Sequence, residues 1–143
     1  LHVLMSWDTN YSAGNKIKHL YVNDASDLGT VFDSSAAFNV DYTDTNWHIG
    51  ATSGGTSKLN GCMAEFYFAP GQYLDFSDSA NRRKFINSLG KPVDLGSDGS
   101  TPTGVAPVVY LKDVAASYGT NSGTGGNFTI TGALTTASTS PSD

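Results

Sequence analysis

Apolar and polar positions alternate at period two over much of the chain, which predicts short strands joined by turns. Residues 1–8 are β-prone and end on the polar turn Asp8-Thr9-Asn10, with Gly14-Asn15 following. Over 16–23, Lys16, Lys18, Leu20 and Val22 alternate with Ile17, His19 and Tyr21, and Asn23-Asp24 signals the next turn. A third strand is predicted over 38–42, with Phe38, Val40 and Tyr42 on one face. A fourth over 46–52 carries Trp47 and Ile49 before Ser53-Gly54-Gly55. Over 59–68, Cys62, Ala64, Phe66 and Phe68 fall on one face and Met63, Glu65 and Tyr67 on the other. Both faces are largely apolar, which predicts a central strand ended by Ala69-Pro70-Gly71. Further strands are predicted over 107–112 and 127–131.

The period changes only once. Ser77 or Asp78 can cap a helix running to Leu89, with Gly90 in the C-cap position and Pro92 beyond it. Phe85, Ile86 and Leu89 form its apolar stripe, and Arg82, Arg83 and Lys84 are expected on or beside its solvated face. Many short strands, one short helix and Gly-rich turns predict an all-β sandwich. From Tyr118 onward the composition shifts to Gly, Ser, Thr and Asn. Residues 1–117 are therefore read as the structured unit and 118–143 as a C-terminal extension ending in a linker-like tail.

Composition supports the strand reading and removes several functions. Hydrophobic residues make up 38% and charged residues 15%, so Ser, Thr, Asn and the 16 Gly carry the polarity, a poor mixture for helix. Aromatics at 11% and a net charge of −5 separate the chain from disordered sequences. Its acidity argues against a nucleic-acid partner that would be held through phosphates. No apolar run is long enough for a transmembrane helix, so no membrane insertion is expected. The single Cys62 has no partner for an intrachain disulfide or a metal pair and reads as a small buried hydrophobe. Lack of disulfides fits assembly in a reducing cytoplasm, wherever the finished protein works. The chain opens directly on a strand, without an initiator Met, so Leu1 is read as lying inside a longer protein.

Four pieces occur in a familiar order: His2-Val3-Leu4-Met5-Ser6-Trp7-Asp8, Leu20-Tyr21-Val22-Asn23-Asp24, Trp47-His48-Ile49-Gly50, and Gly61-Cys62-Met63-Ala64-Glu65-Phe66-Tyr67-Phe68. Over roughly residues 2–90 the chain resembles the laminin-G-like branch of the concanavalin A-like lectin/glucanase superfamily. The resemblance implies a jelly-roll sandwich, partial because the family's N-terminal strands have no counterpart before His2. It departs from the family where Ala64 stands in place of the usual Asp. The Gly-, Ser- and Asn-rich style around 118–129 is similar to such domains in bacteriophage structural proteins. That likeness implies a virion location, with other virion proteins, a homo-oligomer or cell-surface glycans as partners. The alternative is an extracellular or bacterial cell-surface carbohydrate-binding module attached to a glycan-active enzyme.

Catalytic chemistry is thinly supplied. Glycan-hydrolysing relatives use paired carboxylates, two Glu close together on one strand in retaining members, and this chain has one Glu in total, Glu65. Glu65 reads instead as a strand residue accepting hydrogen bonds from a neighbouring loop. His2, His19 and His48 lie on separate predicted strands, without a nucleophile elbow or metal-ligand spacing. Oxygen ligands suited to calcium gather at Asp41, Asp44 and Asn46 and at Asp75, Asp78 and Asn81. Asx turns are the more ordinary use of such residues, and no cofactor is expected. The ligand-binding candidates are Asp41, Tyr42, Asp44, Asn46 and Trp47: an aromatic face can stack on a sugar while the polar neighbours bridge hydroxyls. In the family a residue placed like Trp47 packs inward, so core packing competes with that role. Tyr11 and Tyr73 are alternative platforms.

Overall fold

The computed structural model describes residues 1–9, 17–29, 40–44 and 46–139. The expectations that rest on Asn10, Tyr11, Gly14, Asn15, Lys16 and Phe38 fall outside these residues. The described chain is β-rich, with one short helix and one 3₁₀ turn. β1 (Val3–Asp8) pairs antiparallel with β2 (Ile17–Val22), with Leu4 opposite Tyr21 and Ser6 opposite His19. Alternation decides the faces: Leu4 and Ser6 are buried, while Val3 and Met5 are exposed. β2 continues into β3 (Ala25–Ser26) through Asn23 and Asp24, both at positive φ. This is the two-residue hairpin turn whose twist matches the strands, and Asn and Asp tolerate it better than other side chains. A second sheet joins β4 (Phe66–Phe68) to β5 (Val109–Leu111), with Tyr67 opposite Tyr110.

Asp24 does more than shape its turn. Its carboxylate takes the Arg82 guanidinium at 2.6 Å and also pairs with Arg83, while Arg82 lies 4.4 Å above the Tyr21 ring. The expectation of a solvated basic face is thus corrected for Arg82, whose side chain is 12% exposed. The two arginines hold the Asp24 carboxyl below the usual carboxylate range, chiefly through their hydrogen bonds. A lowered native pKa gives stability that is complete above the unfolded value and disappears as pH falls through the folded one. Thermal melts between about pH 6 and pH 2 should therefore show wild type losing more stability than Asp24→Asn. The difference should be about 1 kcal/mol for a partly exposed network.

The helix α1 (Ser79–Arg82) begins where the sequence places it, with the Asp78 side chain accepting from Ala80 N at 2.8 Å, but it ends seven residues before Leu89. Turn bonds from Lys84 N to Asn81 O and from Phe85 N to Arg82 O follow the helix, and Asn87 then shapes a reversal. Its side chain accepts from the backbone of Leu89 and Lys91, and the chain reverses so that Ile86 bridges Pro92. The reversal buries Phe85 and Ile86 while leaving Leu89 83% exposed, so the expected three-residue stripe is broken.

The core gathers Leu4, Phe76, Phe85, Ile86, Leu95 and Tyr110, with Tyr21, Tyr67 and Leu74 packed against it. Edge-to-face contacts of Phe85 with Tyr67 at 5.4 Å and with Phe76 at 5.7 Å bind the helix region to β4. Several expectations change here, including the strand over 38–42, whose described residues 40–42 are not in a strand. Residues 46–52 and 127–131 are not strands among the described residues, and only the last part of 59–68 is. Cys62 is exposed rather than buried, and Leu59 and Met63 are exposed with it. Alternation alone cannot supply the neighbouring strands that a central position needs.

The beginning of the C-terminal extension packs along β5. Asn121 Oδ1 accepts from Tyr110 N at 2.8 Å and from Gly123 N at 2.9 Å, and its Nδ2 donates to Val108 O at 2.9 Å. Backbone bonds run from Ser122 N to Tyr110 O, from Thr124 N to Pro107 O, and from Gly125 N to Val108 O. Gly123 permits this approach: a Cβ there would lie 2.5 Å from Pro107 O.

Candidate functional site

Alternation along β4 separates two environments. Tyr67 turns towards the Phe85 and Tyr110 rings of the core, whereas Phe68 meets Tyr42 and Trp47 from the loop that follows residue 40. Phe68 stands edge-on to Tyr42 with 5.5 Å between ring centroids and lies 5.6 Å from Trp47. Tyr42 and Trp47 stack at 6.4 Å, 24° from parallel. Trp47 remains 46% exposed, so the cluster presents an aromatic surface to solvent. From β1, Trp7 Nε1 donates to the Tyr42 hydroxyl at 3.1 Å and ties the loop to the first sheet.

The polar candidates surround these rings in sequence. Asp41 Oδ1 accepts from Thr43 N at 2.8 Å and from its hydroxyl at 2.7 Å, and those bonds hold the Asp41 carboxyl below the usual range. Asp44 Oδ1 accepts from Asn46 N at 2.9 Å. Each carboxylate thus forms an Asx turn with one oxygen. Asp41, Asp44, Asn46 and Trp47 are exposed and Tyr42 is half-buried. Thr45, between them, lies outside the described residues. Reasoning from the sequence assigned Phe68 to a strand interior and gave Trp7 no role. The only available signal for Phe68 was that it and Tyr67 must face opposite ways.

The second acidic cluster also serves local structure. Asp75 Oδ1 accepts from Ser77 N and its hydroxyl, Asp78 caps α1, and Asn81 Nδ2 donates to Asp75 O at 3.0 Å. Among the described residues, no group of three or more His, Cys, Asp or Glu is placed to hold a metal. His19 meets Tyr73 Oη at 3.1 Å and Asp75 Oδ1 at 3.2 Å, so Tyr73, the alternative platform, helps tie β2 to the loop before α1.

Glu65 lies in a different place, a cleft of about 320 Å³ lined by Pro92, Val93, Asp94, Tyr110 and Lys112. Loss of hydration raises the Glu65 pKa, with nearby Lys112 opposing the rise and Asp94 adding to it. Burial, then the charges of Glu65 and Asp94, push the Tyr110 phenol up to about 12. Lys112 Nζ is engaged with Gly96 O at 2.9 Å and sits 5.1 Å above the Tyr110 ring. The cleft brings Glu65, Asp94 and Lys112 to one lining.

Compared with family models, curated proteins and solved structures, the chain matches none.

Proposed function

We propose that this chain is a non-enzymatic adhesion module of virion structural type. On this reading it is a concanavalin A-like jelly-roll module that makes assembly contacts and binds glycans through the loop 41–47. The carrying observation is the solvent-facing cluster of Tyr42, Trp47 and Phe68, with exposed Asp41, Asp44 and Asn46 close to it in sequence. Aromatic faces gain from covering the C–H faces of a sugar, while carboxylate and amide oxygens accept from its hydroxyls. The non-enzymatic part rests on the count of one Glu, which leaves no pair of glutamates for the superfamily's hydrolytic chemistry. The virion part rests on the resemblance in motif order and style.

A glycan array tests the adhesion reading. Wild type should be retained on a subset of sugars, and Trp47→Ala should reduce retention by about tenfold or more without changing the circular dichroism spectrum. Wild-type protein that retains none of the sugars would refute glycan adhesion. Portal, terminase or tail genes beside the complete reading frame would support the virion assignment, and polysaccharide-utilisation genes there would overturn it.

A further inference from the structure

Resting on the glycan reading above, we infer that the Tyr42 hydroxyl is a hydrogen-bond donor to the bound sugar and that Trp7 is the positioning residue that sets it in this role. The inference follows from the contact between them. Indole N–H is a donor only, and a phenol oxygen can both accept and donate. In the 3.1 Å bond from Trp7 Nε1 to Tyr42 Oη the phenol oxygen must therefore be the acceptor. Its own proton is left for another acceptor, and among the described residues Trp7 is the partner of that oxygen.

Among the described residues, the ring neighbours of Tyr42 supply no competing orientation. Phe68 is edge-on to the Tyr42 ring and Trp47 is stacked beside it, so both ring neighbours constrain the phenol plane without hydrogen-bonding its oxygen. Trp7 is the penultimate residue of a six-residue strand held in register by β2, with Trp7 opposite Lys18. Its backbone is thus held by the sheet, whereas Tyr42 belongs to a segment outside regular structure. The rigid group positions the loop group. Asp41 and Asp44 carboxylates only accept, so the donated phenol proton adds a polarity they cannot provide. A sugar in this site needs an acceptor, a ring or hydroxyl oxygen, over Tyr42 and donor hydroxyls towards the acidic residues.

The test is a double-mutant cycle of Trp7→Phe and Tyr42→Phe. Binding is read by saturation-transfer NMR with methyl β-glucoside, methyl β-galactoside and methyl N-acetyl-β-glucosaminide, using whichever of the three wild type binds. Tyr42→Phe keeps the stacked ring and should weaken binding several-fold, up to about tenfold, the usual value of one hydrogen bond. Trp7→Phe should weaken it nearly as much, and the double variant should be no weaker than Tyr42→Phe alone. A merely structural role for Trp7 predicts a lower melting temperature with additive losses in binding, and that result overturns the inference. Should Trp7→Phe fail to fold, Tyr42→Phe alone decides: affinity equal to wild type overturns it. If Trp47→Ala abolishes binding while both Phe variants bind normally, glycan adhesion stands and only this inference fails. If wild type binds none of the three, this inference falls as stated for these sugars, and the glycan array alone decides the adhesion reading.

Discussion

Truncation after residue 118 is expected to unfold the protein or leave it marginal. Although its composition reads as an extension, the segment from Gly119 to Phe128 bonds along β5. Three backbone bonds, from Ser122, Thr124 and Gly125, reach Tyr110, Pro107 and Val108. Asn121 adds a bond from Tyr110 N and one to Val108 O. At about 1 kcal/mol net for each bond, the loss is about 5 kcal/mol, comparable to the whole stability of a small domain. Denaturant melts of the truncated chain should lack a cooperative transition at room temperature. Asn121→Ala, which leaves Tyr110 N and Gly123 N without their acceptor, should cost about 2–3 kcal/mol in the full chain. A truncated chain that melts like wild type would show that the segment does not support β5.

Tyr110→Ala should cost about 4 kcal/mol, the range found when a large buried aromatic is deleted from a packed core. Tyr110 is 1% exposed and joins several parts of the fold at once. Its ring meets Tyr67 of β4 edge-on at 6.1 Å and carries the Lys112 ammonium above it, and its backbone pairs with both β4 and Asn121. The ring also closes against Gly99, where an added Cβ would lie 2.9 Å away. Tyr110→Phe should retain most of the stability, because the packing surface rather than the hydroxyl does the holding. Equal losses in the two variants would contradict that division.

How far the sequence reveals the fold depends on how local each determinant is. β1, β2 and the turn between β2 and β3 are legible because alternation and the Asn23-Asp24 pair act over neighbouring residues. The Asp78 cap is legible for the same reason. The path after α1 is not, since there Asn87 binds the backbone of a reversal and Ile86 bridges Pro92. Cys62 and Met63 follow a pattern suited to burial, yet they are exposed. The pattern describes which face a residue takes and contains nothing about what covers that face. At the candidate site, Tyr42 and Trp47 mark themselves by residue type beside polar neighbours. Phe68 and Trp7 do not, because they reach the loop from strands distant along the chain.

The sequence by itself determined a β-rich chain with one short helix, a low share of charged residues, and a single glutamate, all properties of composition and near-neighbour pattern. Tertiary structure alone decided that the start of the Gly-rich extension joins β5 and that Arg82 turns inward to Asp24. It also decided that Trp7 and Phe68, from two distant strands, meet Tyr42 and Trp47 of one loop. Each of these depends on contacts between residues far apart in the chain, where the gain from burial and hydrogen bonding must exceed the entropy of bringing them together.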